Sequence, residues 1–384
     1  MTLELSEVRK ELDGIDGQLV ELFCRRMELA KDVAEAKRGT GKAVFDPARE
    51  REKLLDVAGR VPRELQPQAI ALFSLLMSMN KAEQQKVLHA GDCKSPASAA
   101  LASLAPSTES FPQTATVACQ GVEGSYSQQA ACRLFRVPGI TYCETFEGVF
   151  RAVRDGACEF GVLPIENSTA GSVNAVYDLL AKYRFSIVRS LRLKIDHNLL
   201  ARPGTSIDNV REVFSHEQAL AQCADYIERH GWKATECKNT AKAAELVAAS
   251  DRTDLAALSS LDCAGLYGLD ALETNVQDSD NNYTRFVVIS ATLRIYPGAT
   301  RSSIVLSLQK TQPGALYRVL ERFFALDINL VKLESRPIPG HDFDFLFYFD
   351  LDCTPTDPAF ATLLDSLDDV CSWFTYFGSY TEVL

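Results

Sequence analysis

The sequence predicts a multidomain chain: an all-helical module, then an α/β region, then an α+β unit of ferredoxin-like order. Three observations carry this. The chain has 384 residues, more than one hydrophobic core usually serves. Its first 90 residues hold helix-period apolar patterns only. From Ala115 onward short apolar runs alternate with helical patterns, and the last stretch reads strand, helix, strand, strand, helix, strand.

In order along the chain, residues 4 to 38 read as one long amphipathic helix, broken at Gly39 to Gly41. A second helix is predicted to open at Asp46-Pro47, since proline suits a first helical turn, and a third to run from about Gln68 to Leu88. The stretch from Ala90 to Thr114 is rich in Ala, Ser, Pro and Thr without periodicity and reads as a linker. Strands are expected at Thr116 to Cys119, Phe160 to Leu163, Ser186 to Leu193, Glu212 to Phe214, Leu255 to Leu258 and Arg285 to Ser290. The last unit starts at Ser302, with helices at Gly314 to Phe324 and Asp357 to Leu367. The domain boundaries expected are 1–90, a 91–114 linker, 115–298 and 299–384.

Composition narrows the function. A net charge of -11 disfavours nucleic acid as the main partner, because phosphate binding needs a basic face. No apolar run is long enough to span a bilayer, and the charged first residues lack the apolar core of a signal peptide. A cytoplasmic setting is therefore expected. The 11 cysteines are irregularly spaced with no Cys-x-x-Cys pair, a poor basis for disulfides or a metal site. Cys119, Cys132 and Cys158 sit in apolar stretches and read as small core residues.

The first unusual constellation is cationic. With Val8 at zero and about 100° per residue, Leu5, Leu12, Ile15, Leu19, Leu22, Phe23 and Val33 define a stripe predicted to be buried. Arg26 falls at about 0° and Lys37 at about 20° on that stripe, while Arg9 lies at its margin. Asn80 and Gln84 project beside Phe73 and Met77 on the third helix. Buried cations need acids, such as Glu50 or Asp46, or an anionic ligand; spacing alone does not decide between them.

The residues Val8-Arg9-Lys10, Arg26, Ala36-Lys37, Asp46-Pro47-Ala48-Arg49-Glu50 and Asn80 to Gln84 resemble the all-helical chorismate mutase domain. That resemblance implies a domain-swapped dimer of three-helix chains. It also implies that Arg26, with Arg9 from the other subunit, holds substrate carboxylates, and that Lys37 and Gln84 donate to the ether oxygen. Asp46, Arg49, Glu50 and Asn80 would complete the site, Glu50 holding a ring hydroxyl. Asn80 stands where many members have Ser. The chemistry agrees: a pericyclic rearrangement needs a clamped conformer and stabilised charge, with no nucleophile and no cofactor.

The second constellation is neutral. Gly121-Val122-Glu123-Gly124-Ser125-Tyr126-Ser127 links a strand to a helix, where glycines permit close backbone approach and a helix N-terminus attracts an anion. Val162-Leu163-Pro164-Ile165-Glu166-Asn167-Ser168-Thr169-Ala170-Gly171 and Asn282-Tyr283-Thr284-Arg285-Phe286 are two further dense patches. Ser125 and Ser127 also suit helix caps, Arg285 also suits a structural ion pair, and His197 and His216 read as ordinary hydrogen-bonded residues.

In this order, with Phe214-Ser215-His216 between the last two, these patches resemble the prephenate dehydratase family. The resemblance implies two α/β lobes, like those of periplasmic binding proteins, around a cleft. Thr284 would protonate the departing hydroxyl with help from Arg285 or a water, beside Glu166 and Phe286. Ser125, Tyr126, Asn167, Ser168, Thr169, Ser215 and Thr240 would orient prephenate. The family often has Gly-Ser-x-x-Ala where this chain has Ser259-Ser260-Leu261-Asp262-Cys263-Ala264-Gly265, so contacts from that loop are left open.

Finally, Pro313-Gly314-Ala315-Leu316 and Glu334-Ser335-Arg336-Pro337 resemble the phenylalanine-binding motifs of the ACT regulatory domain, with the second motif expected as a turn. The whole pattern is that of a homodimeric or homotetrameric enzyme taking chorismate through prephenate to phenylpyruvate, inhibited by phenylalanine. A dehydratase acting on arogenate, and a non-catalytic amino-acid-responsive binding protein, are the alternatives.

Overall fold

The computed structural model describes residues 4–38, 46–88, 109–308, 314–338, 344–367 and 370–384. The predicted linker from 91 to 108, and Pro313, lie outside them. The chain forms two compact units, one from residues 1–103, 307–329 and 356–374 and the other from the remainder.

In the first unit α1 (Leu5–Arg38), α2 (Pro47–Gly59) and α3 (Gln66–Leu88) fall where the patterns place them. The Asp46 carboxylate accepts from the N–H groups of Ala48 and Arg49, both at 3.1 Å, satisfying orphan donors of the first turn of α2. Arg26 reaches the Leu76 carbonyl at 2.6 Å and Arg38 the Val87 carbonyl at 2.6 Å, so α1 and α3 run side by side in one direction.

The predicted burial of the α1 stripe does not hold within the chain. Only Ala30 and Ala34 of this helix are buried, whereas Leu5 is 65% and Leu22 64% exposed, with Leu12, Ile15 and Leu19 similar. Length accounts for part of this: α1 spans about 51 Å, and α3, with Leu76 beside Arg26, does not reach Leu5 and Leu12, while Leu19 and Leu22 face away from it.

The second unit contains two sheets. The strands are β1 (Thr114–Gln120), β2 (Val137–Cys143), β3 (Phe160–Asn167), β4 (Gly171–Ser172), β5 (Ser186–Lys194), β6 (Asn198–Ala201), β7 (Glu212–Ser215), β8 (Lys233–Glu236), β9 (Leu255–Ser259), β10 (Asp270–Glu273), β11 (Tyr283–Ser290), β12 (Arg301–Leu308), β13 (Asn329–Pro337), β14 (Phe345–Asp352) and β15 (Cys371–Val383). The larger sheet has the order β13-β14-β12-β15-β5-β11-β3-β1-β2, with β4 on β3; the smaller has the order β10-β6-β9-β7-β8. These sheets form two lobes, and the chain crosses between them after β5 and before β11.

The order β13-β14-β12-β15 is that of a ferredoxin-like sheet, as the element sequence predicts. Its strands continue the dehydratase-patterned sheet: Thr381, Glu382 and Val383 pair in parallel with Arg189, Ser190 and Leu191 of β5. Glu334 to Pro337 end the second strand of this unit, as their place in the sequence predicts, but in extended form and not as a turn. That strand is at the sheet edge, where the absent N–H of Pro337 costs no ladder bond.

Phe111 corrects the linker boundary. It is 5% exposed, its ring centroid 4.9 Å from Phe135 and 5.1 Å from Tyr296, in the core beneath β1 and β3. One aromatic in a Ser/Pro/Thr-rich stretch shows no periodicity, so composition alone hid it.

Candidate active sites

In the helical unit, α1 and α3 bring Arg26, Asn80 and Gln84 into one region, with α2 supplying Glu50. Gln84 is 6% exposed, and its Oε1, like Oδ1 of Asn80, has no hydrogen-bond partner among the described residues. Burial lowers the pKa of Arg26, whose guanidinium meets a carbonyl and not an acid. Glu50 pairs with Lys81 at 2.8 Å, so it does not neutralise Arg26. Lys37 is half-buried on the same helix as Arg26. Arg49 is exposed and pairs with Glu52 at 2.6 Å. Arg9 is exposed and about 25 Å from Arg26 along the helix axis, so one chain does not bring the two together.

The second site is a cleft of about 410 Å³ between the two lobes. Of the residues named from sequence, Ser125, Tyr126, Asn167, Thr240, Thr284 and Phe286 line it. Strand alternation explains the last pair: Thr284 and Phe286 share one face of β11, and Arg285 takes the other.

Asn167 is the hub of this cleft. Its Oδ1 accepts from the backbone N–H groups of Thr169 (3.0 Å) and Ala170 (2.9 Å), which fixes the amide orientation. Its Nδ2 then donates to Thr284 Oγ1 at 2.9 Å and to Asn282 Oδ1 at 2.9 Å. The Thr284 oxygen is thus an acceptor toward Asn167, which leaves its own proton for the cleft.

Among the helices that start at the cleft, two carry hydroxyl residues named from the sequence. Ser125 precedes α4 (Tyr126–Leu134), yet its side chain makes no capping bond and its buried Oγ has no partner among the described residues. The cap reading therefore fails for Ser125. After α5 (Phe146–Arg154), α6 (Asn174–Tyr183), α7 (Glu217–Gln222) and α8 (Ala224–His230), the second is α9 (Thr240–Ala249). Asn239 caps it by accepting from Lys242 N at 2.7 Å. Lys238 also lines the cleft and makes no ion pair among the described residues, so positive potential collects here without a basic surface.

The other expected groups lie elsewhere. Ser215 Oγ donates to the Leu258 carbonyl at 2.6 Å, tying β7 to β9, and Ser168 Oγ donates to the Asn281 carbonyl at 2.7 Å. Thr169 Oγ1 donates to Asn167 Oδ1 at 2.7 Å. Glu166 pairs with Lys332 at 3.1 Å. Arg285 is buried in an ion pair with Asp350 of β14 and is not among the residues lining the cleft.

Sequence reasoning missed Gln222. Its Oε1 accepts from Asn282 Nδ2 (3.1 Å), its Nε2 donates to Thr169 Oγ1 (2.8 Å), and His197 Nε2 lies 2.9 Å from that Oε1. Because Gln222 Oε1 is an acceptor, the His197 Nε2 carries the proton. Burial lowers the pKa of His197, so the ring is neutral. A glutamine on a six-residue helix gives no periodic signal to mark it. His216 also lines the cleft, and its Nδ1 accepts from Gln218 N at 3.2 Å at the start of α7.

The open Ser259 to Gly265 segment docks on the glycine turn. Ser260 Oγ donates to the Gly124 carbonyl at 3.0 Å, and Cys263 Sγ lies 3.4 Å from the same oxygen, at the start of α10 (Leu261–Tyr267). These contacts tie the segment to the turn of the other lobe, and none of its residues is among those lining the cleft.

Cations and amides in the helical unit, and amides and hydroxyls beside Lys238 in the cleft, are the groups an enzyme acting on small carboxylates uses. Comparison with known proteins gives the same division: residues 8–85 match the chorismate mutase type II family and residues 117–293 the prephenate dehydratase family. The bifunctional chorismate mutase/prephenate dehydratase of Aquifex aeolicus is 31% identical over 99% of this chain and 99% of its own. The chloroplastic arogenate dehydratase/prephenate dehydratase 1 of Arabidopsis thaliana is 37% identical over 69% of this chain and 71% of its own. The solved prephenate dehydratase of Arthrobacter aurescens, in complex with L-Phe, is 28% identical with a TM-score of 0.64, covering 69% of this chain and 89% of its own. The chain belongs to the bifunctional chorismate mutase/prephenate dehydratase family. It converts chorismate to prephenate and prephenate to phenylpyruvate.

Proposed function

We propose that Thr284 is the proton donor of the dehydration, and the observation that carries this is the direction of its bond from Asn167. With its oxygen held by the amide, the hydroxyl proton goes to the departing ring hydroxyl, which leaves as water. The carbon–carbon bond to the ring carboxylate breaks at the same time, its electrons completing the aromatic ring as carbon dioxide departs. The amide stabilises the negative charge left on Thr284 until solvent returns a proton. Ser125, Tyr126, Thr240 and Phe286 orient the substrate.

For the first reaction, Arg26 and the Arg9 of a second copy clamp the two carboxylates, and Lys37 and Gln84 donate to the ether oxygen. Glu50, Asn80, Arg49 and Asp46 complete the site. The exposed apolar stripe of α1 supports a domain-swapped dimer, since a second copy of the same helix would cover it. The buried Gln84 Oε1, without a partner among the described residues, supports a ligand there.

The C-terminal residues 299–384 act as an ACT sensor of phenylalanine through Gly314, Ala315, Leu316, Glu334, Ser335, Arg336 and Pro337, and the effector lowers dehydratase activity by favouring one conformation. The L-Phe complex of the Arthrobacter relative supports this. The Arabidopsis relative's name supports arogenate as a second substrate.

The test supplies purified protein with chorismate and follows prephenate and phenylpyruvate separately. Lys37→Ala abolishes the first step alone, and Thr284→Ala stops the second while prephenate accumulates. If both rates survive both substitutions, the assignments are wrong. Phenylalanine lowers the second rate, and Gly314→Val or Arg336→Ala relieves that inhibition.

A further inference from the structure

We propose that Asp350 is a positioning residue for the dehydration, holding the strand that carries Thr284 through its buried pairing with Arg285. The inference rests on the reading of Thr284 as proton donor.

The ladder around Thr284 is irregular. Thr284 pairs with Asn167 and Arg285 with Glu166, but Phe286 pairs with Pro164, so the register of β11 against β3 shifts between Arg285 and Phe286. Pro164 has no N–H to donate at that place. A bulge beside an active site re-aims side chains and weakens the ladder's hold on the strand. On its other side β11 keeps continuous register with β5 from Tyr283 to Val288, so the irregularity is confined to the β3 side, where Asn167 meets Thr284, and a side-chain brace on Arg285 adds to what the ladder supplies.

Arg285, the next residue, is 7% exposed, and its Nη2 meets Asp350 Oδ2. Asp350 is itself fixed: its Oδ1 accepts from Ser303 Oγ at 2.6 Å, and Ser303 Oγ lies 2.9 Å from the buried Tyr380 hydroxyl. In the strand order β12, β15 and β5 stand between β14 and β11, so this pair braces strands that share no backbone bonds. Burial opposes the charge on Asp350, yet Arg285 holds its carboxyl below the usual range. The brace is ionised at neutral pH.

The full-length protein supplies an internal control, because chorismate mutation uses residues remote from the brace in sequence. Asp350→Asn lowers kcat for dehydration by about ten-fold or more, as small misplacements of a reacting group do, with KM for prephenate within about two-fold and the mutase rate unchanged. Asp350→Glu recovers most of the loss. Ser303→Ala, which keeps the ion pair, shows the same pattern more weakly and serves if Asp350→Asn does not fold. A rise in KM at unchanged kcat, a parallel fall of both activities, or no advantage of Glu over Asn overturns the proposal. A Thr284→Ala protein that still dehydrates sinks the underlying reading instead; an inactive Thr284→Ala beside a wild-type Asp350→Asn sinks the positioning role alone.

Discussion

The Nδ2 of Asn167 donates to the Oγ1 of Thr284 across 2.9 Å, while the Oδ1 of the same amide is anchored by two backbone N–H groups. A carboxylate in that place would keep the anchors and lose the donor. Asn167→Asp therefore preserves the turn but lowers the dehydration kcat by about 10²-fold, the usual cost of removing one preorganised donor. Steady-state rates with prephenate check this, and a rate within about two-fold of wild type would refute it.

Gly124 adopts φ +84, and a Cβ there would stand 2.7 Å from Cys263 Sγ. Gly124→Ala carries backbone strain of about 1–3 kcal/mol and pushes the turn away from the opposite lobe. The expected result is a raised KM for prephenate and unchanged mutase kinetics. Adding Cys263→Ala removes the contact but not the strain, so the double variant recovers only in part.

His197 links protonation to folding. Its folded pKa lies below 6.5 because burial disfavours the imidazolium. Between that depressed value and 6.5 the unfolded chain binds a proton that the folded chain refuses. The contribution is complete above pH 6.5 and is lost as pH falls below it. Denaturant midpoints at pH 7.5 and pH 5.5 measure this, and His197→Gln should show a smaller fall than wild type; an equal fall would exclude the histidine as a source.

Phe111 is packed by Phe135 and Tyr296, with the Arg189 guanidinium 4.5 Å from its ring centre. Phe111→Ala should destabilise the α/β unit by about 3–5 kcal/mol, the range for truncating a buried phenylalanine. Urea unfolding followed by dehydratase activity reads it out, and a change below about 1 kcal/mol would return residue 111 to the linker.

What the sequence made legible follows from what burial does to pattern. The three N-terminal helices and the strands β1, β3, β5, β7, β9 and β11 carry long periods or apolar runs, and these were readable. Strands β2, β8 and β10 sit at sheet edges, where half the side chains face water and no run forms. Thr284, Asn167 and Ser125 were found because dense polar motifs flank buried strands. Ser215 and Ser168 share those motifs yet face inward to carbonyls, a difference of side-chain direction that spacing does not encode. Gln222 was illegible for the opposite reason: it matters through three partners from distant segments.

The pairing of Thr381 to Val383 with Arg189 to Leu191 bears on how the chain is made. At roughly 5–20 residues per second, a ribosome needs about 10–40 s to add the approximately 190 residues between these partners. Throughout that interval one side of β5 has no neighbour, and unpaired sheet edges recruit foreign strands. Nascent chains should therefore be most prone to aggregate, and most dependent on chaperones, in the window before β15 emerges.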